Sequence, residues 1–406
     1  MPTQDSAIRV CFFNRSYWPD LGATGQLLTE LAEDLVAKHG FDVTVVTGYP
    51  VTSAVALPAR ETRNGVRVIR ARGTRLAPRS FAARALNYVT YFISATWIAI
   101  RMPKPDVAIA LTDPPIIGLA ALASRPRRGM VFYCQDIFPE VAALLDDFHS
   151  ATLDALLERL NHFLLRRATR VIALGDVMAS RLVNGKGADP GKISIIPNWA
   201  DATAIVPSAK DNAFSRVHGL HSRIVVLHAG NIGLSQNLDV VLDAAALLAR
   251  EDDILFLFIG DGHRRAALEQ RVREQRLDNV RFLPFQPRDQ LRWTYASSDI
   301  CLVSLKPGLA GYIVPSKLYA ILAAGRPYIG AVEPATEVAI LTERHRCGII
   351  VEPGDAAQLA DAVMRLARAP ELRVAMGERA RMAGELFTRE RQVAAHAQLL
   401  AGIAAR

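Results

Sequence analysis

Short β-branched runs separated by helical periodicities recur along the whole chain, and this alternation restricts the fold more than any other feature. The first run is Ile8 to Phe13. A glycine-containing loop, Asn14 to Gly25, leads into a stretch with Leu27, Leu28, Leu31 and Leu35 on one helical face, which Gly40 ends. Further strands are expected at Asp42–Thr47, Val107–Leu111, Val131–Cys134, Val171–Leu174 and Ile193–Ile196. The rhythm restarts at Ile224–His228 and continues through Ile254–Ile259, Val280–Leu283, Ile300–Ser304 and Tyr328–Ala331. Alternation of this kind builds a parallel sheet covered on both faces, and its restart builds two in tandem. The expected fold class is α/β, with two doubly wound parallel-sheet domains at residues 1–200 and 223–385. The polar, irregular stretch 201–222 is expected to link them. Ligands of such folds bind outside the carboxyl ends of the strands, in a cleft.

The length of 406 residues suits two cores of roughly 200 residues each. A chain half hydrophobic and 22% charged is neither a disordered tail nor collagen-like. The four cysteines, Cys11, Cys134, Cys301 and Cys347, are far apart and form no C-x-x-C pair; they read as core residues of a reducing compartment. Met1 to Val10 carries Asp5 and Arg9 and shows no apolar signal core, and no charge-free run reaches the ~18 residues of a spanning helix.

Charge is unevenly spread. Residues 60–128 hold twelve arginines and one lysine against Glu61, Asp106 and Asp113, a net +10 in a chain of net +8. That asymmetry points to an anionic partner there, such as a membrane surface or a phosphate-bearing substrate. Nucleic acid is disfavoured, because no recognised reading module accompanies the basic stretch. Within the region, Phe81 to Met102 is rich in Tyr, Phe, Trp and Ile with only Arg84 and Arg101 charged. It reads either as an interfacial helix lying on a membrane or as a buried core helix.

Several strand-to-helix junctions carry residues suited to chemistry. Ile259-Gly260-Asp261-Gly262 and His228-Ala229-Gly230-Asn231-Ile232-Gly233 are glycine-rich turns that let backbone N–H groups approach a phosphate, with the Asn231 and Gln236 amides nearby. Neither has P-loop or dinucleotide-fingerprint spacing. Pro315 and Ser316 are helix-start residues, which places Lys317 and Leu318 in a first turn. A cation there is unfavourable unless an anion is close, which suggests a phosphate partner for Lys317. In the first half, the loop Pro19 to Gly25 would admit a ligand beside Gly22 and Ala23. Cys134-Gln135-Asp136 and Glu140 place two carboxylates at a strand end, each suited to binding a sugar hydroxyl or taking a proton. No D-x-D triplet, H-E-x-x-H, G-x-S-x-G or Cys/His cluster occurs, so metal-free chemistry with no cofactor is expected, with backbone dipoles stabilising a leaving phosphate.

These motifs, with Ile196-Pro197-Asn198, Asn279 to Pro287, Ala324-Gly325-Arg326-Pro327 and Cys347 to Asp355, resemble in order glycosyltransferase family 4, whose members have the two-domain GT-B fold. Within it the chain is most similar to bacterial colanic-acid and O-antigen enzymes, including L-fucosamine-type transferases. The resemblance implies two Rossmann-like domains, with helix 386–406 packing back on the first. It implies a retaining, metal-independent transfer from a nucleotide-sugar, UDP-linked, to a lipid-diphosphate-linked sugar at the inner face of the cell membrane. The donor base would lie near Phe285 and Gln286, and the diphosphate near Gly233, Gln236 and Lys317, with Pro315, Ser316 and Leu318 around it. Gln135 and Asn198 would face the acceptor, and Asp136, Glu140 and Lys317 would carry the chemistry. Two departures stand out. Where many members carry an Arg and a Lys, this chain has Asn231 and Gln236, and where they carry two glutamates it has Tyr312 and Ala320. These losses leave open a non-catalytic binding subunit of a polysaccharide assembly complex, and the architecture also fits a nucleotide-sugar epimerase.

Overall fold

The computed structural model describes residues 7–20, 22–50, 56–76, 81–145 and 151–406. The signal-free N-terminus expected at Met1 to Val10 and the loop residue Leu21 lie wholly or partly outside them. The chain forms two compact units. One comprises residues up to Pro197 with Glu390–Arg406, and the other comprises Asn198–Arg389.

The first unit holds strands β1 (Arg9–Phe13), β2 (Asp42–Thr47), β3 (Arg60–Arg63), β4 (Val66–Arg70), β5 (Val107–Ala110), β6 (Gly129–Tyr133), β7 (Arg170–Ala173) and β8 (Ile193–Ile195). They form one sheet in the order β3-β4-β2-β1-β5-β6-β7-β8, parallel except for the β3–β4 hairpin at its edge. Burial on both faces explains the apolar runs: Val10 to Phe13 and Val107 to Ala110 are all buried. Helix α1 (Ala23–His39) follows β1 and ends where Gly40 adopts φ 70 and donates back to Leu35 and Val36. Helix α2 (Phe81–Arg101) covers the same sheet, with Tyr91 Oη donating to the Val46 carbonyl at 3.2 Å.

The hairpin β3–β4 lies in the basic region and was not among the expected strands. Arg67 on the exposed side of β4 and a buried Arg70 blur its alternation, while Val66 and Val68 are buried. Its turn, Asn64-Gly65, carries two positive φ angles, the pairing that a tight hairpin demands.

The second unit holds β9 (Ile224–Ala229), β10 (Ile254–Ile259), β11 (Val280–Leu283), β12 (Ile300–Ser304), β13 (Tyr328–Ala331) and β14 (Gly348–Val351), in the order β11-β10-β9-β12-β13-β14 and parallel throughout. Strand β14 was absent from the sequence expectation. The stretch 201–222 is not a free linker but is built into this unit. Asn212 caps a short helix through a capping box with Ser215, Phe214 and Leu220 enter the core, and Lys210 pairs with Asp299. Its polar residues make local turns and caps, which composition alone reads as irregular. The C-terminal helix, Arg389–Ala404, falls almost entirely in the first unit, where the His396 ring packs on Tyr133 at 5.2 Å.

Candidate active site

Strand order reverses direction between β1 and β5 in the first unit and between β9 and β12 in the second. Loops leaving these strands part to opposite sides, and the opening between them is where doubly wound sheets bind ligands. Both reversals gather the chemistry-bearing residues.

In the second unit, β9 delivers His228 and the turn beyond it. Helix α3 (Lys317–Ala323) begins at Lys317. The Lys317 ammonium donates to Gln236 Oε1 at 2.7 Å and lies 3.3 Å from His228 Nε2. His228 is fully buried, and its ring also pairs with the Asn231 carbonyl at 3.3 Å. Burial and the neighbouring Lys317 hold the His228 pKa well below its ordinary value, so the ring is neutral. Burial likewise pulls the ammonium of half-buried Lys317 down to about 7 from 10.5. Among the described residues no carboxylate pairs with it. A cation set against an amide and a neutral imidazole in this way is suited to an anionic ligand.

The glycines bring backbone into the same place. Gly260 has φ +145, and a Cβ on it would sit 1.8 Å from the Gly230 carbonyl oxygen. Only a residue without a side chain lets the β9 and β10 turns close on each other. A Cβ on Gly230 would in turn lie 3.7 Å from Lys317 Cε. Gly262 N–H donates to Asp261 Oδ1 at 2.7 Å, and Ile232 N–H to the Asp261 carbonyl at 2.9 Å. Arg265, which sequence reasoning missed, donates to the Gly260 and Leu283 carbonyls and ties the β10 and β11 ends together. Gly233 closes the turn after β9, and a Cβ there would strike the Asn231 amide at 2.5 Å.

The structure therefore brings Gly233, Gln236, Gly260 and Lys317 together. The Gln236 amide is already engaged, its oxygen by Lys317 and its nitrogen by Ser235 Oγ at 3.1 Å. Asn231 and Phe285 are exposed, and Gln286 donates to the Pro284 carbonyl in the loop after β11. Pro315 and Leu318 are buried beside Lys317, and Ser316 precedes α3 without a side-chain capping bond.

In the first unit, Arg15 follows β1 and Asp113 follows β5. Arg15 Nε donates to Asp113 Oδ1 at 3.2 Å, and Ser16 Oγ donates to Asp113 Oδ2 at 2.7 Å. The Arg15 guanidinium lies over Tyr88, whose pKa rises to about 12, first because of Asp113 and then by burial. Asp136 follows β6. Its N–H and that of Gln135 both donate to Thr112 Oγ1, at 3.2 and 3.3 Å. The Asp136 carboxyl is pushed up to about 7, mainly by burial and secondarily by Asp113. Thr112, Phe132, Phe138 and Leu157 line a cavity of about 10 Å³ against it, room for about one water. Arg15, Thr112 and Asp113 were missed by sequence reasoning. The only signal is their place after β1 and β5, which turn out to be neighbours once strand order is known.

Glu140 does not share this environment. Its Oε1 lies 2.6 Å from Lys186 Nζ, a buried ammonium that also pairs with Glu158. The expectation that Glu140 takes a proton gives way to a structural ion pair. Gly22 donates to Asp20 Oδ1 and starts α1 with Ala23, both exposed. Asn198 belongs to the second unit, buried, with its Oδ1 unpaired.

Comparison with known proteins accounts for both units. A family model described as a glycosyl transferase 4-like domain matches residues 22–199, and one described as glycosyl transferases group 1 matches residues 211–383. The chain belongs to the GT-B glycosyltransferases. Among relatives of this glycosyltransferase, the putative colanic acid biosynthesis glycosyl transferase WcaI of Escherichia coli K12 is 27% identical over 371 residues, which is 85% of this chain and 89% of WcaI. The probable glycosyltransferase WbjE of Pseudomonas aeruginosa is 28% identical over 275 residues, 66% of this chain and 68% of WbjE. Anabaena HepE, solved in complex with UDP-glucose, superposes with a TM-score of 0.73 at 16% identity, covering 97% of this chain and 100% of HepE. Among the described residues, no helix is long and apolar enough to cross a membrane.

Proposed function

We propose that this glycosyltransferase moves a sugar from a UDP-linked donor to a lipid-diphosphate-linked sugar, with retention of anomeric configuration and without a divalent metal, in bacterial surface polysaccharide synthesis. The observation that carries the reading is the Lys317 ammonium, held between Gln236 and His228 at a turn lined by Gly230 and Gly260. The bond from the sugar C1 to the donor phosphate breaks, and the departing diphosphate gains charge. Lys317 stabilises that charge, at a turn whose glycines carry no side chain to keep the phosphate away. The acceptor hydroxyl oxygen bonds to C1 on the face the leaving group vacates, and its proton passes to the phosphate or to a carboxylate. Asp136 offers that base in the first unit, with Gln135 next to it in the chain. The names of WcaI and HepE support polysaccharide synthesis and UDP as the nucleotide. The enzyme would work at the inner face of the cell membrane, where lipid-linked acceptors are found.

Calorimetric titration of UDP, GDP, ADP and dTDP tests the donor reading. UDP should bind tightest, and Lys317→Ala should weaken it by about 10- to 100-fold, the worth of one charged hydrogen bond. Turnover should survive a chelator. Absence of nucleotide binding would overturn the donor site, and activity lost to chelator and restored by Mn would overturn the metal-free step.

A further inference from the structure

Helix α2 has two apolar faces. Tyr91, Ala95 and Ala99 are buried on one, and Asn87 on the same side bonds the backbone of Leu76 in both directions, at 2.9 and 3.0 Å. The other face presents Leu86, Val89, Ile93, Trp97 and Ile100, all exposed, with Ile93 at 61% and Trp97 at 59%. At 100° per residue these five side chains fall within an arc of ~80°, and at 1.5 Å per residue they form a stripe ~21 Å long. A soluble surface rarely carries a continuous line of large apolar side chains without a use for it.

The rim decides the occupant. No aspartate or glutamate occurs between Glu61 and Asp106, whereas Arg72, Arg75, Arg101, Lys104, Arg125 and Arg128 are exposed. Arg101 stacks on Trp97, and Arg125 donates to the carbonyl of Ile100, so both flank the end of the stripe. By contrast, the +10 region as a whole is less available than its sequence implies. Arg63, Arg67 and Arg127 pair with Glu33, Asp42 and Asp106, and Arg70 is buried against Glu61. A second copy of this chain laid on the stripe would set arginine against arginine. An anionic bilayer complements both the apolar line and its cationic border.

We infer that α2 lies in the plane of an anionic lipid surface, its Leu86–Ile100 stripe inserted among the acyl chains and its arginines at the phosphates. This rests on the membrane-bound acceptor proposed above and names the surface that meets the membrane. The test needs neither donor nor acceptor. Sedimentation with phosphatidylcholine vesicles containing about 30% phosphatidylglycerol should pull down the wild type. Ile93→Glu/Trp97→Glu should reduce binding by more than tenfold while UDP affinity and melting temperature stay unchanged, since both side chains are exposed. Brominated lipid should quench wild-type fluorescence, and that quenching should vanish in Trp97→Phe. Lys317→Ala should weaken UDP binding by that 10- to 100-fold and keep vesicle binding, so failure of the donor reading and failure of this one are told apart. Wild type left in the supernatant, equal sedimentation of the double variant, or a wild-type dimer that the double variant dissolves would each overturn the inference.

Discussion

Replacing Lys317 with methionine should make the folded protein more stable and weaken its affinity for the donor by about 10- to 100-fold. The unfolded chain holds this lysine near 10.5 and the folded unit holds it near 7. Below pH 7 both states are protonated and the full penalty of a desolvated ammonium is present. Between 7 and 10.5 the unfolded state binds more protons, so wild-type stability rises with pH, and above 10.5 the penalty is gone. A shift of this size corresponds to a ceiling of roughly 4–5 kcal/mol. Methionine keeps the stem but leaves Gln236 Oε1 without its donor, which returns about 1–3 kcal/mol. The net gain for Lys317→Met should therefore be about 2 kcal/mol at pH 6, or several degrees of melting temperature for a unit of this size, shrinking to nothing or reversing by pH 10. Scanning calorimetry at pH 6, 8 and 10, with and without UDP, reads both effects. UDP should raise the wild-type transition by about 2.7 kcal/mol at a hundredfold excess over Kd, and at the same concentration raise the variant's by only about 0.4 to 1.4 kcal/mol. A variant less stable at pH 6, a difference independent of pH, or an undiminished UDP shift would each refute the reasoning.

Other consequences follow from the same geometry. Gly260→Ala should lose more than about 3 kcal/mol in urea unfolding, because its Cβ meets the Gly230 carbonyl at 1.8 Å with φ at +145; a loss under about 1 kcal/mol would show that the two turns do not approach so closely. If Asp136 takes the acceptor proton, kcat/KM should fall about tenfold per pH unit below about 7, where its carboxyl is protonated. Asp136→Asn should remove that limb along with most of the rate, and an unchanged profile would discharge Asp136.

Much of this architecture is legible in the sequence because buried parallel strands are written as apolar runs. Ile254–Ile259, all six residues buried, could be read directly, as could Ile300–Ser304. Strands β3 and β4 escaped because a sheet-edge hairpin with one solvated face spends half its positions on arginine. The turn pair Asn64-Gly65 is the local mark of this hairpin, set among residues whose charge dominates the stretch. Residues 201–222 resemble a linker in composition for a related reason. Asn212, Ser215 and Lys210 are polar because they cap, turn and pair, not because they are loose. At the site, glycines and Lys317 announce themselves, since each violates a local preference. Glu140 and Asp136 look alike in sequence, and only the third dimension shows that a buried lysine claims one while apolar walls enclose the other. Arg15 and Asp113, 98 residues apart, carry no local mark at all.

Lys317 and Asp136 respond to burial in opposite senses. Desolvation lowers the lysine and raises the carboxyl, and both arrive near 7. The Asp136 deficit in stability is absent below about pH 4, grows as pH rises to 7 and is complete above it, whereas the Lys317 deficit is complete below 7 and fades above. Near neutrality the two units thus each carry most of a penalty that their own contacts do not relieve. A diphosphate beside the ammonium would restore its proton and raise its pKa. A hydroxyl donated to the carboxylate would favour the charged form and lower that of Asp136. Ligand binding would therefore draw on free energy that folding has left uncollected, and the two groups would gain from it in the protonation states that the proposed transfer requires: a charged ammonium at the leaving group and an ionised carboxylate at the attacking hydroxyl.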